Sequence, residues 1–169
     1  LITRMGVKIT EQILLTRSPH TMRPLDHRHP ISSIIWSVPL KAEIFSIGTE
    51  LLMGELTDTN AAWIAGRLPP LGIQLQWVSI IGDNLDMLAE AFEKGMERSD
   101  IIFTTGGLGP TQDDLTREAV AKAVGESPTV QEDVVRSLEE YFKARGTDMP
   151  AHNIKQAHLI PSATFIPNP

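Results

Sequence analysis

Three glycines, a proline and two adjacent aspartates crowd into residues 104–116, TTGGLGPTQDDLT. Gly106, Gly107 and Gly109 allow the backbone to turn with positive φ and to approach a ligand closely. Successive N–H groups in such a turn form an anion-binding concavity, and a helix starting after it adds its positive end. Leu108 and Thr111 complete this candidate cradle, Thr111 with a hydroxyl, and Pro110 stiffens its exit. The run is not a Walker loop, because no Gly-Lys-Ser/Thr follows, and it does not fit G-x-G-x-x-G. On glycine content alone, a plain tight turn is the somewhat stronger reading than phosphate binding.

Asp113 and Asp114 shift that balance. At a helix start each carboxylate stabilises by about 0.3–1 kcal/mol. Beside an anion cradle the same pair repels a phosphate unless a divalent cation bridges them. Asp113 and Asp114 are therefore the candidate metal ligands. Glu50 and Asp83 stand at the ends of two other predicted strands, where either can complete the coordination or act as a base. Helix capping explains Asp83 equally well. Gly48 and Thr49 precede Glu50, and the hydroxyls of Thr49 and Thr111 suit phosphate oxygens or simple turns.

The elements that must position these residues alternate between strand and helix signals. Residues 41–47 (KAEIFSI), 73–81 (IQLQWVSII) and 100–105 (DIIFTT) read as strands, the last apolar on both faces like a buried parallel strand. Helices are predicted over 57–68, stopped by Pro69 and Pro70, and from residue 85 with the stripe Leu85, Leu88, Phe92 and Met96. Two more are predicted over 113–124 and 131–145, closed by Gly125 and Gly146. The pairs Glu90–Lys94, Glu118–Lys122 and Glu139–Lys143 read as solvated helix faces. This alternation predicts an α/β fold, a three-layer α/β/α sandwich with a mostly parallel sheet. Ligands of such sheets bind beyond the carboxyl ends of the strands, which nominates residues 48–50, 82–84 and the loop from Gly106.

The chain has 169 residues and a formal net charge of −6, a length that suits one domain with a sizeable core. It has no cysteine, which excludes a disulfide scaffold, a thiolate metal site and a cysteine nucleophile. The acidity argues against nucleic acid as the main partner, the 5% aromatic content against base stacking. No apolar run approaches the ~18–20 residues of a membrane span; the longest candidate, 31–38, holds three serines. Residues 1–40 carry a local charge of +3, four prolines and no sustained period, whereas 41–169 carry −9. The leader reads as a poorly ordered extension, with a targeting peptide as the lesser alternative. Its histidines, His20, His27 and His29, give only a weak metal motif. The chain starts at Leu1, which reads as a fragment or a misplaced start. Lys155 and Arg117 read as solvated surface cations, with neutralisation of developing charge as the lesser alternative; His152 and His158 lack the partners of a triad, and Trp63 and Trp77 read as core or dimer-contact residues.

Residues 45–60 (FSIGTELLMGELTDTN), 80–84 (IIGDN), 104–116 and 153–157 (NIKQA), in this order and spacing, resemble the N-terminal domain of the CinA (competence/damage-inducible) family. That domain lies in the molybdopterin-binding superfamily shared with MogA, MoaB and MoeA. The resemblance runs from residue 41 to the end. It implies a three-layer α/β fold and metal-dependent hydrolysis of ADP-ribose to AMP and ribose 5-phosphate. It also implies a divalent metal, Mg²⁺ or Co²⁺, with a monovalent cation as a second candidate cofactor. The positions of Asp83 and Asp114 would lie in a pterin-type pocket, with the glycine loop on the phosphate side. The expected partners are a small nucleotide or pterin and further copies of the chain, in a cytoplasmic protein. The alternative is a non-catalytic molybdopterin- or nucleotide-binding module of a larger protein. The nicotinamide-mononucleotide deamidase domain of longer relatives has no counterpart here. Family members continue past the position of Pro169 into a Gly-x-Ala-Pro-Gly loop and further strands.

Overall fold

The computed structural model describes residues 14–16 and 39–164. The leader histidines, the apolar run 31–38 and the last residues, 165–169, lie outside the described residues. Strand β1 (Leu14–Thr16) belongs to the leader; β2 (Leu40–Ile47), β3 (Ile73–Ile81) and β4 (Ile101–Thr105) follow. They form one sheet in the order β1-β4-β2-β3. β3 and β4 run parallel to β2, and β1 runs antiparallel to β4. Residues 42–47 of β2 are buried on both faces, as a central parallel strand must be.

Register is what builds the site. Ile47 pairs with Ile81, and Ser46 pairs with Thr105, so the three parallel strands end level. Gly48, Gly82 and Gly106, each one residue past its strand, therefore arrive side by side. The Gly48 amide donates to the Ile81 carbonyl at 3.0 Å, and the short helix α1 (Thr49–Leu52) turns away from there.

Helices cover both faces, giving the expected mostly parallel α/β sandwich. On one face α2 (Thr59–Ala65), capped by the Asp58 side chain, lays Ala61 and Ile64 over Ala42 and Ile44. On the other, α3 (Leu85–Arg98) and α4 (Thr116–Val124) enclose Phe45, Ile47, Leu88, Phe92, Ile102 and Val120. The rings of Phe45 and Phe92 meet edge to face at 5.4 Å. The stripe anticipated on α3 is the stripe that packs: Leu88 and Phe92 are buried, and Leu85 and Met96 lie against them.

After α4 the chain makes a small satellite. It consists of β5 (Thr129–Val130), α5 (Glu132–Lys143), a 3₁₀ helix (Ala151–Ala157) and β6 (His158–Leu159), held by Val134, Leu138 and Ala157. Its functional consequence is to return residue 155 to the glycine loop. Along β3, at the sheet edge, Trp77, Val78 and Ile80 are exposed. Trp77 and Trp63 are thus surface residues rather than core, each with an arginine guanidinium over its ring. No helix among the described residues is long and apolar enough to cross a membrane.

Candidate functional site

The three strand-end segments nominated from sequence meet at the carboxyl end of the sheet. Two of them are joined by a carboxylate. Oδ2 of Asp83 accepts from both the amide and the hydroxyl of Thr49, each at 2.8 Å, and the Asp83 amide donates back to Thr49 Oγ1 at 3.1 Å. Asp83 is therefore not the cap of α3. Asn84 caps it, accepting from the Met87 amide at 3.0 Å. Glu50, exposed in the first turn of α1, carries its carboxylate beside Gly48, where a Cβ would meet Oε1 at 2.7 Å.

The same device recurs in the third segment. Oδ2 of Asp114 accepts from the Thr111 amide at 2.8 Å and from its hydroxyl at 2.5 Å. This capture is why α4 begins at Thr116 rather than at residue 113. A side chain that satisfies nearby backbone donors offers the chain an alternative to a helical turn. The two aspartates are consequently separated in role: Asp114 is folded into the loop, and Asp113 is exposed. Partial burial pushes the Asp114 carboxyl up. The Thr111 hydroxyl and amide, the Gly109 amide and the Lys155 ammonium together outweigh burial and hold it below its ordinary value of 3.8.

That direction fixes a pH dependence. A carboxyl with a lower pKa folded than unfolded contributes stability above the unfolded value, and loses it as pH falls through the folded one. Asp114→Asn should therefore melt below the native protein at about pH 7, and the difference should shrink on acidification to about pH 3. Melting curves across that range check it; a deficit that persists unchanged at acid pH contradicts the assignment.

Gly106 and Gly107 are required by geometry. Both have positive φ, 87° and 61°. A Cβ on Gly106 would lie 1.9 Å from the Ile47 carbonyl oxygen, and one on Gly107 2.4 Å from Thr116 Oγ1. Leu108 is buried and anchors the loop, whereas Gly106 is exposed and Gly107 and Gly109 are half-buried. The backbone thus reaches solvent at the carboxyl end of the sheet.

Five carbonyls of this loop are held by donors on α4 and on the 3₁₀ helix. Gly106 O accepts from Thr116 Oγ1 at 2.8 Å, and Gly107 O from the Thr116 amide at 3.1 Å. Leu108 O accepts from Arg117 Nη2 at 2.6 Å, while Thr111 O and Asp114 O share Lys155 Nζ at 2.7 Å each. In a planar trans peptide the C=O and the following N–H point in opposite directions. The amides of Gly107, Leu108, Gln112 and Leu115 therefore face away from those donors, and the Gly109 amide serves Asp114. Outward amides ahead of a helix N-terminus are the elements of an anion-binding nest.

Arg117 and Lys155 were expected at the surface, and both expectations fail. Arg117 is 3% exposed, and Lys155 adds an ion pair to Glu118 at 3.3 Å. Glu118 and Lys122 do not form the anticipated helix pair. Lys122 instead bonds Asp86 across to α3 at 2.6 Å, although Glu90–Lys94 forms as expected. Neither Arg117 nor Lys155 has a local sequence signal, because their partners are carbonyls 9–44 residues away. His152 is exposed, and His158 contacts the Ile154 carbonyl.

Among the described residues no three His, Cys, Asp or Glu side chains gather where they could hold a metal ion. Asp83 and Asp114 each spend an oxygen on a threonine.

The family described as probable molybdopterin binding domain matches residues 43–165. A CinA-like protein of Thermomicrobium roseum is 47% identical over 130 residues, covering 77% of this chain and 32% of that protein. A putative competence-damage inducible protein of Alkaliphilus oremlandii gives the same identity and coverage. The chain spans about a third of the length of the curated relatives it matches. The crystal structure of the protein CinA from Thermoplasma acidophilum superposes with a TM-score of 0.67 at 33% identity, covering 72% of this chain and 71% of that one. With the matched family spanning all three strand-end segments and the fold shared with a solved CinA, the chain belongs to the CinA family, through its probable molybdopterin binding domain.

Proposed function

We propose that this domain binds a phosphorylated small molecule, a nucleotide or a pterin, as a module of a larger CinA-family protein. The observation that carries the reading is the capture of five loop carbonyls by Thr116, Arg117 and Lys155, which turns the amides of Gly107, Leu108, Gln112 and Leu115 away from those donors. Asp83 lies at the same end of the sheet, suited to accept hydrogen bonds from the sugar or ring of such a ligand. The name of the matched family, probable molybdopterin binding, supports the same ligand class.

The finer reading is hydrolysis of the diphosphate of ADP-ribose with a divalent cation. It asks Asp113 and Asp114 to share a metal, whereas Asp114 is folded onto Thr111 and Asp113 stays exposed to solvent. Binding is therefore favoured, with a cation arriving on the ligand's phosphates rather than on a protein cage.

Melting the protein with ADP-ribose, with inorganic pyrophosphate and with ribose, each with and without Mg²⁺, tests this. At a hundredfold excess over Kd, a ligand stabilises by about 2.7 kcal/mol, a rise in Tm of roughly 5–10 °C at this chain length. The rise is expected for the two phosphate compounds and not for ribose or Mg²⁺ alone. Release of AMP in the same samples would establish the hydrolytic reading instead. No rise with either phosphate compound would remove the binding site.

A further inference from the structure

We infer that Lys155 is a positioning residue that sets the outward orientation of the Gln112 and Leu115 amides at the exit of the glycine loop, with Arg117 bracing the loop at Leu108. Its affinity arm rests on the function proposed above; its structural arm does not.

A loop containing three glycines has many conformations available, so something must select the one that presents donors. Thr116 holds Gly106 O and Gly107 O, and two cations hold the rest of the loop from behind. Lys155 Nζ reaches two carbonyls three residues apart, Thr111 O and Asp114 O, and pulls both toward the 3₁₀ helix. Arg117, from α4, holds Leu108 O and also reaches the Lys155 carbonyl at 3.3 Å. The two cations therefore brace the loop and each other's elements. Each hydrogen bond from a charged donor is stronger than a neutral one, and each fixes a peptide plane whose N–H must point the other way.

Lys155 is itself constrained. It lies 3.3 Å from Glu118 Oε1, and Glu118 Oε2 is buried without a hydrogen-bond partner. Glu118 thus needs the ammonium as much as the loop does, and Lys155 is not free to swing into solvent. The cation is not required to touch the anion, because it already serves two carbonyls and a carboxylate. It acts through the peptides it turns.

The test uses Lys155→Met, Lys155→Arg and the double variant Lys155→Met with Glu118→Gln. Affinity for inorganic pyrophosphate is measured by calorimetry, and amide ¹⁵N shifts and hydrogen exchange are measured without ligand. Lys155→Met is expected to weaken pyrophosphate about tenfold or more, and to move the ligand-free amides of Gln112 and Leu115, whose peptides it holds, more than those of Gly107 and Leu108, whose peptides Thr116 holds. Lys155→Arg should restore both readouts; the double variant should restore neither. Ligand-free loop amides unchanged in Lys155→Met would overturn the inference, as would recovery of affinity in the double variant, since the effect would then be the bare Glu118 charge. If the native protein does not bind pyrophosphate, the proposed function fails, and the ligand-free comparison alone decides the role of Lys155.

Discussion

Gly106→Ala is expected to remove anion binding and to lower Tm by roughly 4–8 °C, corresponding to about 2 kcal/mol at this chain length. Two costs combine. An L-residue in the left-handed region costs about 1–2 kcal/mol, and φ at Gly106 is 87°. The new methyl would also sit 1.9 Å from the Ile47 carbonyl oxygen. That atom belongs to the central strand and cannot retreat without disturbing the pairing with β3. The loop must move instead, and with it Gly106 O leaves Thr116 and the following amides lose their aim. Thermal melting with pyrophosphate titration measures both effects. A variant that melts with the native protein and keeps its affinity would show that the loop is looser than its contacts imply.

The second large effect lies in the middle of the same strand. Glu43 on β2 is 0% exposed. Arg98 holds its carboxylate through two bonds, Nε to Oε1 at 2.7 Å and Nη2 to Oε2 at 2.6 Å, and Ser99 Oγ donates to Oε1 at 2.5 Å. Removing one partner of a buried pair strands the other charge, at a cost of about 3–5 kcal/mol. Because the Arg98 side chain is 42% exposed, water can reach part of the vacated space, and the lower end of that range applies. Arg98→Met should therefore lose about 3 kcal/mol, and adding Glu43→Gln should recover half of that or more. Chemical denaturation measures both variants. A loss below about 0.5 kcal/mol for Arg98→Met, or no recovery in the double variant, contradicts the account of Glu43 as a charge that depends on its arginine.

The regular elements were legible in the sequence because local patterns decide them. Residues 73–81 form a strand along their whole predicted length, and α3 starts where Asn84 can cap it. The level strand ends follow from a parallel sheet, so the meeting of Gly48, Gly82 and Gly106 was anticipated in place if not in detail. Other features had no local signature. α1 spans four residues, and β5 and β6 two each, too short to show a period. The start of α4 was misplaced because Asp114 looks like an ordinary helix-start acid until Thr111 is seen to hold it. Leu14–Thr16 forms a strand although residues 1–40 show no sustained period.

The site's wiring was the least visible part. Thr49 with Asp83 is a contact 34 residues apart, and Lys155 reaches Thr111 across 44. A lysine in a short polar helix and an arginine on an amphipathic one both look solvated in one dimension. The return of the 3₁₀ helix to the loop makes the lysine structural, and the Leu108 carbonyl does the same for the arginine. The types of residue needed for phosphate were therefore readable, while the agents that orient the amides were not.

Resolved amide shifts give the most direct test of the central claim. Titrating ¹⁵N-labelled protein with inorganic pyrophosphate should shift the amides of Gly107, Leu108, Gln112 and Leu115 most, saturating together, with β3 and α5 little changed. Saturable binding that leaves those four amides still and moves another surface would contradict the account.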